Sequence, residues 1–209
     1  TTMIFDILLL GLVAVVLFQL VYYIFIFGKF SFSKPIAHPK KNIPISVIVC
    51  AKNEAENIKK FIPLLLEQEY PTFELVLIDD ASSDETRDLF EAFEKQYANV
   101  KLVKVDNNEA FWCNKKYALT LGIKAAKYEY LLFTDADCYP TSKHWISNMS
   151  ANFTLKKTFV LGYGAYEKIK NSFLNKIIRF ETLLTATQYF AWAKMGKPYM
   201  GVGRKLAYK

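Results

Sequence analysis

With 209 residues, 52% of them hydrophobic and 16% aromatic, the chain can bury a sizeable core in one domain of ordinary size with an appendage. Its net charge of +7 suits an anionic leaflet or an anionic ligand, but no basic run is interleaved with aromatics, which excludes a nucleic-acid partner. Cys50, Cys113 and Cys138 are unpaired by spacing and read as reduced thiols, and His38 and His144 lie too far from a cysteine or a second histidine to form a zinc site.

From Ile7 to Gly28 the chain carries no charge, and the run ILLLGLVAVVLFQLVYYIFIFG meets the length of about 20 residues that a bilayer span needs. A signal peptide starts basic and ends its shorter apolar stretch at small residues. This segment starts with Asp6 and ends in bulky aromatics. Residues 1–28 are therefore expected to form an N-terminal transmembrane anchor. Lys29, Lys34, Lys40 and Lys41 follow the span and only Asp6 precedes it, so the remainder is expected on the cytoplasmic side. Residues 29–43, KFSFSKPIAHPKKNI, read as a juxtamembrane linker.

Beyond the linker the apolar pattern alternates between two periods. Ile45 to Cys50 is a short β-branched run bounded by Pro44, and reads as a buried strand. A helix is predicted over 54–67, with Ile58, Phe61, Ile62 and Leu65 on one face and Pro63 interrupting the pattern. A second strand covers 75–78 and runs into Asp79 and Asp80. Ser82 and Glu85 then have capping-box spacing for a helix carrying Leu89, Phe90, Phe93 and Tyr97. VKLVKV at 100–105 gives a third strand, and a helix over 115–126 leads into a fourth, YLLFTDADC, which ends in Asp135 and Asp137. A further helix is expected to begin near Ser142. Residues 171–195 carry a broad apolar face with Lys170, Lys176 and Arg179 nearby. Two readings stand: an amphipathic helix at a membrane surface, or a helix packed on the sheet.

Strands alternating with helices over short connections imply a mostly parallel sheet covered on both faces. Ligands of such sheets bind beyond the carboxyl ends of the strands. Here those ends carry AKNE, DDASSD and DAD. No GxGxxG or GxxxxGK[ST] follows a strand, so phosphates must be held by another device. In extended backbone Asp135 and Asp137 point the same way, as a pair holding Mg2+ or Mn2+ against substrate phosphates would require.

The stretches PISVIVCAKNEAENIKKFI, LVLIDDASSDET, WCNKKYALTLGIKAAKYEYLLFTDADC and PYMGVGRKLAY, in this order, resemble the successive motifs of glycosyltransferase family 2. The likeness covers residues 44–209 and is strongest to bacterial members anchored by transmembrane helices. It implies a GT-A fold, a Rossmann-like sheet with helices on both faces, and a metal-dependent, inverting enzyme of hexosyltransferase type using a nucleotide-diphosphate sugar. UDP is favoured as the nucleotide. An acceptor that is lipid-linked and a place at the inner membrane, facing the cytoplasm, go with the anchor. By the same resemblance Ala51, Asn53 and Glu54 lie at the nucleotide end of the first strand, and Asp80, with Asp79 beside it, contacts the base. Lys115 matches the lysine of a Gly-Lys pair, although Asn114 stands where the family has glycine. Asp135 would face the ribose or sugar and Asp137, the second acid of the DxD motif, would hold the metal. Gly201, Gly203 and Arg204 match a glycine-rich segment beside donor and acceptor. Lys115 and Arg204 also read as plain surface cations. The family's catalytic base, an aspartate, is expected beyond Lys209, so the chain reads as a C-terminally truncated one that lacks the full catalytic set. The alternatives are a membrane-tethered module that only binds nucleotide sugars, and a sugar-1-phosphate nucleotidyltransferase, whose glycine-rich loop AKNEAEN does not provide.

Overall fold

The structure, a computed structural model, describes residues 2–34, 38–105, 115–154 and 158–209. The chain divides into two compact units, Thr1–Ile36 with Ala165–Gly201, and Ala37–Gly164 with Val202–Lys209.

In the first unit, α1 (Thr2–Tyr22) continues through a π-helical turn, Tyr23–Phe27, into α2 (Gly28–Ser31). Together they make a helix, Met3–Ser31, long and apolar enough to cross a bilayer. Its 29 residues span about 43 Å at 1.5 Å per residue, more than the roughly 30 Å of a hydrocarbon core. From Met3 to Val21 its side chains are exposed on every side, while Ile26 nearer its end is buried.

The second unit contributes β1 (Ile45–Ala51), α3 (Ala55–Leu66), β2 (Phe73–Asp80), α4 (Thr86–Gln96), β3 (Val100–Val105), α5 (Lys115–Ala125), β4 (Tyr130–Asp135), α6 (Trp145–Ala151) and β5 (Phe159–Leu161). The chain then returns to the first unit for α7 (Phe173–Lys194) before closing the sheet with β6 (Leu206–Tyr208). Among the described residues six strands form one sheet in the order β3-β2-β1-β4-β6-β5. β3, β2, β1 and β4 are parallel, while β6 runs antiparallel to both β4 and β5. The fold is thus a mixed α/β sheet, parallel where the strands alternate with helices. The pattern of apolar runs located the parallel strands but neither β5 nor β6. Pro63 sits inside α3, which continues past it to Leu66.

The twofold alternation of each strand divides the core. On one face Ile45, Val47 and Val49 pack with Leu75, Leu77 and Leu132 under Ile58, Ile62, Leu65, Phe90 and Ile146 of α3, α4 and α6. On the other, Ile48, Cys50, Val76, Ile78, Leu131 and Phe133 lie under α5. A Cβ added at Gly122 of α5 would collide with the Ile78 side chain, so this glycine sets how closely the helix approaches β2.

Candidate active site

Strand register and parity assemble the site before any side chain is considered. Cys50 of β1 is level with Ile78 on β2 and Asp135 on β4. Asp80 shares parity with Val76 and Ile78, and Asp135 with Leu131 and Phe133, so both acids belong to the face covered by α5. Lys115, the first residue of α5, stands over the same edge. Its Nζ lies 2.7 Å from Asp135 Oδ1. Asp79 has the opposite parity. It is fully buried, and it accepts hydrogen bonds from Arg87 Nε at 2.7 Å and from Ser82 N–H at 3.2 Å. The two adjacent acids thus have separate tasks. Asp79 anchors α4, and Asp80 faces the cavity.

The loops after β1 and β2 are clasped together. Asn53, in the left-handed region at φ 57°, donates its N–H to Ser82 Oγ at 3.0 Å and accepts at Oδ1 from Ser83 N–H at 2.8 Å. Glu54 N–H reaches Thr86 Oγ1 at 2.9 Å, and Ala55 N–H reaches Asp84 Oδ2 at 3.1 Å. This clasp replaces the capping box expected between Ser82 and Glu85. The Ser82 hydroxyl is engaged by Asn53, and α4 starts later, with Asp84 Oδ1 accepting from Thr86 N–H at 3.0 Å.

A cavity of about 320 Å³ opens at these strand ends, lined by Cys50, Ala51, Lys52, Glu54, Asp80, Lys115, Asp135, Ala136 and Asp137. Asp80 is 6% exposed, and among the described residues its Oδ1 has no hydrogen-bond partner. A buried carboxylate oxygen in that state calls for a donor from water or a ligand. Asp135 closes β4, and Ala136 and Asp137 turn away from the strand line. The two carboxylates converge all the same, because the turn brings Asp137 back. Ligand atoms of Asp135, Asp137 and Cys138 lie within 4.8 Å of one another. The carboxylates are hard oxygen donors suited to Mg2+ or Mn2+. Cys138 is not a fitting ligand. Its sulfur is a soft donor, poorly matched to Mg2+ or Mn2+, and in this structure the thiol donates to Asp137 Oδ1 at 3.4 Å. Asp135 is held by Lys115, and exposed Asp137 is the carboxylate open to a cation. Burial opposes the charge on Lys115, but Asp135, through its hydrogen bond and its attraction, raises the ammonium pKa above its ordinary value.

A second cavity, about 430 Å³, shares Cys50, Lys115 and Asp135 with the first and is otherwise mostly apolar, with Leu119, Ile123, Phe133 and Leu206 in its wall. Gly203 borders this one. Gly201 belongs to the other unit, the Arg204 side chain lies outside the described residues, and so do Cys113 and Asn114. Of the residues expected at the site, Ala51, Glu54, Asp80, Lys115, Asp135 and Asp137 share the first cavity, whereas Asn53 and Asp79 serve the loop clasp and α4. Cys50 and Lys52 also line it and were not anticipated. The register that sets Cys50 beside Asp135 follows from strand pairing and not from spacing along the chain.

Burial, and next the charge of Asp80, push the Cys50 thiol from 9.0 up to about 11. At neutral pH its thiolate fraction is therefore expected to be about 100-fold below that of an unperturbed thiol with pKa 9.0, since the fraction falls tenfold per unit. Alkylation of the Cys50 peptide, followed by mass spectrometry, should be correspondingly slow in the native protein and fast in urea. Equal rates would show that the thiol is neither buried nor facing acids. The linkage has a definite sign: a raised folded-state pKa gives stability that is whole below pH 9 and is lost as pH rises through 11.

Known proteins give this geometry a lineage. Residues 46–202 match the profile of Glycosyl transferase family 2. The chain is 34% identical over 119 residues to poly-beta-1,6-N-acetyl-D-glucosamine synthase of Staphylococcus epidermidis, a match covering 56% of this chain and 28% of that protein. It is 31% identical over 131 residues to UDP-Glc:alpha-D-GlcNAc-diphosphoundecaprenol beta-1,3-glucosyltransferase WfgD of Escherichia coli, covering 61% and 47%. It therefore spans between about a quarter and a half of the length of these curated relatives. The mannosyltransferase PcManGT from Pyrobaculum calidifontis, solved with GDP-Man and Mn2+, shares the fold with a TM-score of 0.68 at 21% identity, over 91% of this chain and 51% of that one. The sequence motifs, the mixed sheet and the profile agree, and the chain belongs to glycosyl transferase family 2.

Proposed function

We propose that this chain holds the donor site of an inverting, metal-dependent sugar transferase, anchored by its N-terminal helix and working on the cytoplasmic side of a membrane. The observation that carries the reading is the convergence of Asp80, Lys115, Asp135 and Asp137 on one cavity at the carboxyl ends of parallel strands. Asp80 Oδ1, buried and without a partner among the described residues, accepts an N–H from the base, as uracil can offer. Lys115 fixes the Asp135 carboxylate toward the ribose or sugar. Asp137 holds Mg2+ or Mn2+, which when bound neutralises the charge of the departing diphosphate. Transfer then joins the acceptor oxygen to the anomeric carbon, on the side opposite the breaking bond to phosphate; the electron pair of that bond leaves with the diphosphate, and the acceptor hydroxyl's proton passes to a general base, the aspartate expected of the family. The E. coli relative's name pairs a UDP-sugar with a diphosphoundecaprenol-linked acceptor, which supports a UDP donor and a lipid-linked acceptor here.

The test is thermal unfolding of the detergent-solubilised chain with UDP, GDP, dTDP or CDP, each with and without Mn2+. UDP at about 100 times its Kd should stabilise the fold by about 2.7 kcal/mol, a rise in Tm of roughly 5–10 °C, and only with the metal. No shift with any nucleotide would overturn the donor site, and an equal shift without metal would overturn the role of Asp137.

A further inference from the structure

The N-terminal half of α7 carries an apolar stripe that no part of the described chain covers. Phe173, Ile177, Phe180 and Leu184 recur at the spacing of one helix face and are exposed by 75%, 46%, 67% and 39%. Ile169, 61% exposed, continues the stripe past the helix start. That extension is fixed in place. Buried Asn175 accepts from Ile169 N–H at 3.0 Å and donates to the Glu167 carbonyl at 3.0 Å, and the Ser172 hydroxyl caps the helix through Asn175 N–H. Such a continuous exposed patch marks a surface with a partner.

Two observations identify that partner. The first is continuity with the apolar helix of the same unit. Trp192 Nε1 of α7 donates to the Tyr22 hydroxyl at 3.3 Å, and Phe190 stacks on Phe30 with ring centroids 5.9 Å apart. The Phe30 contact lies on the last turn of that helix, between Lys29 and Lys34, where a spanning segment reaches the headgroups, and the Tyr22 contact lies about two turns deeper. The second is charge. Between Ala165 and Leu184, Lys168, Lys170, Lys176 and Arg179 stand against Glu167 and Glu181. A basic border around an apolar stripe fits anionic lipid headgroups over acyl chains.

We infer that α7 is an interfacial membrane helix, with Phe173, Ile177, Phe180 and Leu184 sunk into an anionic leaflet at the foot of the N-terminal helix. The inference rests on the reading of Met3–Ser31 as a membrane span. The lipid then becomes a docking surface for the protein and not merely a place of tethering.

The test places an environment-sensitive fluorescent amino acid at Phe180, at Glu181 or, as a control, at Leu12. The full chain is reconstituted into phosphatidylcholine vesicles with or without phosphatidylglycerol. Because Phe180 and Glu181 are exposed, folding does not depend on their side chains. In anionic vesicles the Phe180 probe should be quenched by doxyl lipid, more by a shallow label than by a deep one, and shielded from aqueous iodide. The Glu181 probe should respond to iodide. Removing phosphatidylglycerol should weaken lipid quenching at Phe180 and leave Leu12 unchanged. Iodide access at Phe180 equal to that at Glu181 overturns the inference. So does shielding from both quenchers, which would show that another protein segment or a second copy covers the stripe. If the Leu12 probe also escapes lipid quenching, the membrane span falls and the docking falls with it; lipid quenching at Leu12 alone removes only the docking.

Discussion

Asp137→Ala should weaken Mn2+-dependent binding of a nucleotide-diphosphate sugar by about 100-fold or more, because loss of even an outer partner of a metal ligand costs 10–100-fold. The residue is exposed, lies in the turn after β4, and is tied there by the weak Cys138 thiol contact. Its removal leaves no buried group unpaired, so the Tm without ligand should stay within about 1–2 °C, as for an ordinary surface substitution. Titration calorimetry of the nucleotide sugar with and without Mn2+ separates the two effects. Unchanged affinity would mean that the cation is held elsewhere, with the convergence of Asp135 and Asp137 having no part in it.

The largest effect on stability is expected from Arg87→Met. Asp79 has no exposed surface, and Arg87 Nε is 2.7 Å from its carboxylate. Removing one partner of a buried ion pair leaves a charge without compensation and costs 3–5 kcal/mol. Because the Arg87 side chain is itself 35% exposed, the lower end applies, about 3 kcal/mol and a fall of roughly 6–12 °C in Tm. Nucleotide affinity, measured below the new transition, should be unaltered, since Asp79 and Asp80 point to opposite faces of β2. The reverse result, intact stability with lost binding, would move Asp79 into the donor site beside its neighbour.

That pair of acids shows where sequence reading succeeds and where it stops. β1, β2 and β4 are legible because they are buried on both faces and carry mostly apolar runs, IVC, LVLI and YLLF among them, whereas the edge strand β3 alternates with exposed Lys101 and Lys104. The acidic ends of those runs are legible for the same reason, since a charge closing such a run has no bland place to go. Spacing, however, groups Asp79 with Asp80, and the strand continues through both, which sets them back to back. Asp135 and Asp137 meet for a reason other than the one the spacing supplies, through a turn and not an extended strand. The Ser82–Glu85 spacing has the form of a cap, but Asn53, distant in sequence, takes the serine first. β5 and β6 have three residues each and gain their identity from pairing with distant partners, so no local period announces them. Tyr22 and Tyr23 lie too deep in the apolar run to read as an interfacial belt, and the hydrogen bond from Trp192 to the Tyr22 hydroxyl, made with a residue far along the chain, is not visible in the sequence.

The sheet order has a consequence for how the protein is made. β6 seals the outer side of β4, yet all of β5 and α7 emerge from the ribosome between Asp135 and Leu206. Until Tyr208 is translated, a nascent chain displays the free backbone of β4 beside Phe133, an open template for a neighbouring chain. Late pairing of distant segments is also slow. Premature termination just upstream of Leu206 should therefore yield aggregates even though every acid of the donor cavity has already been synthesised.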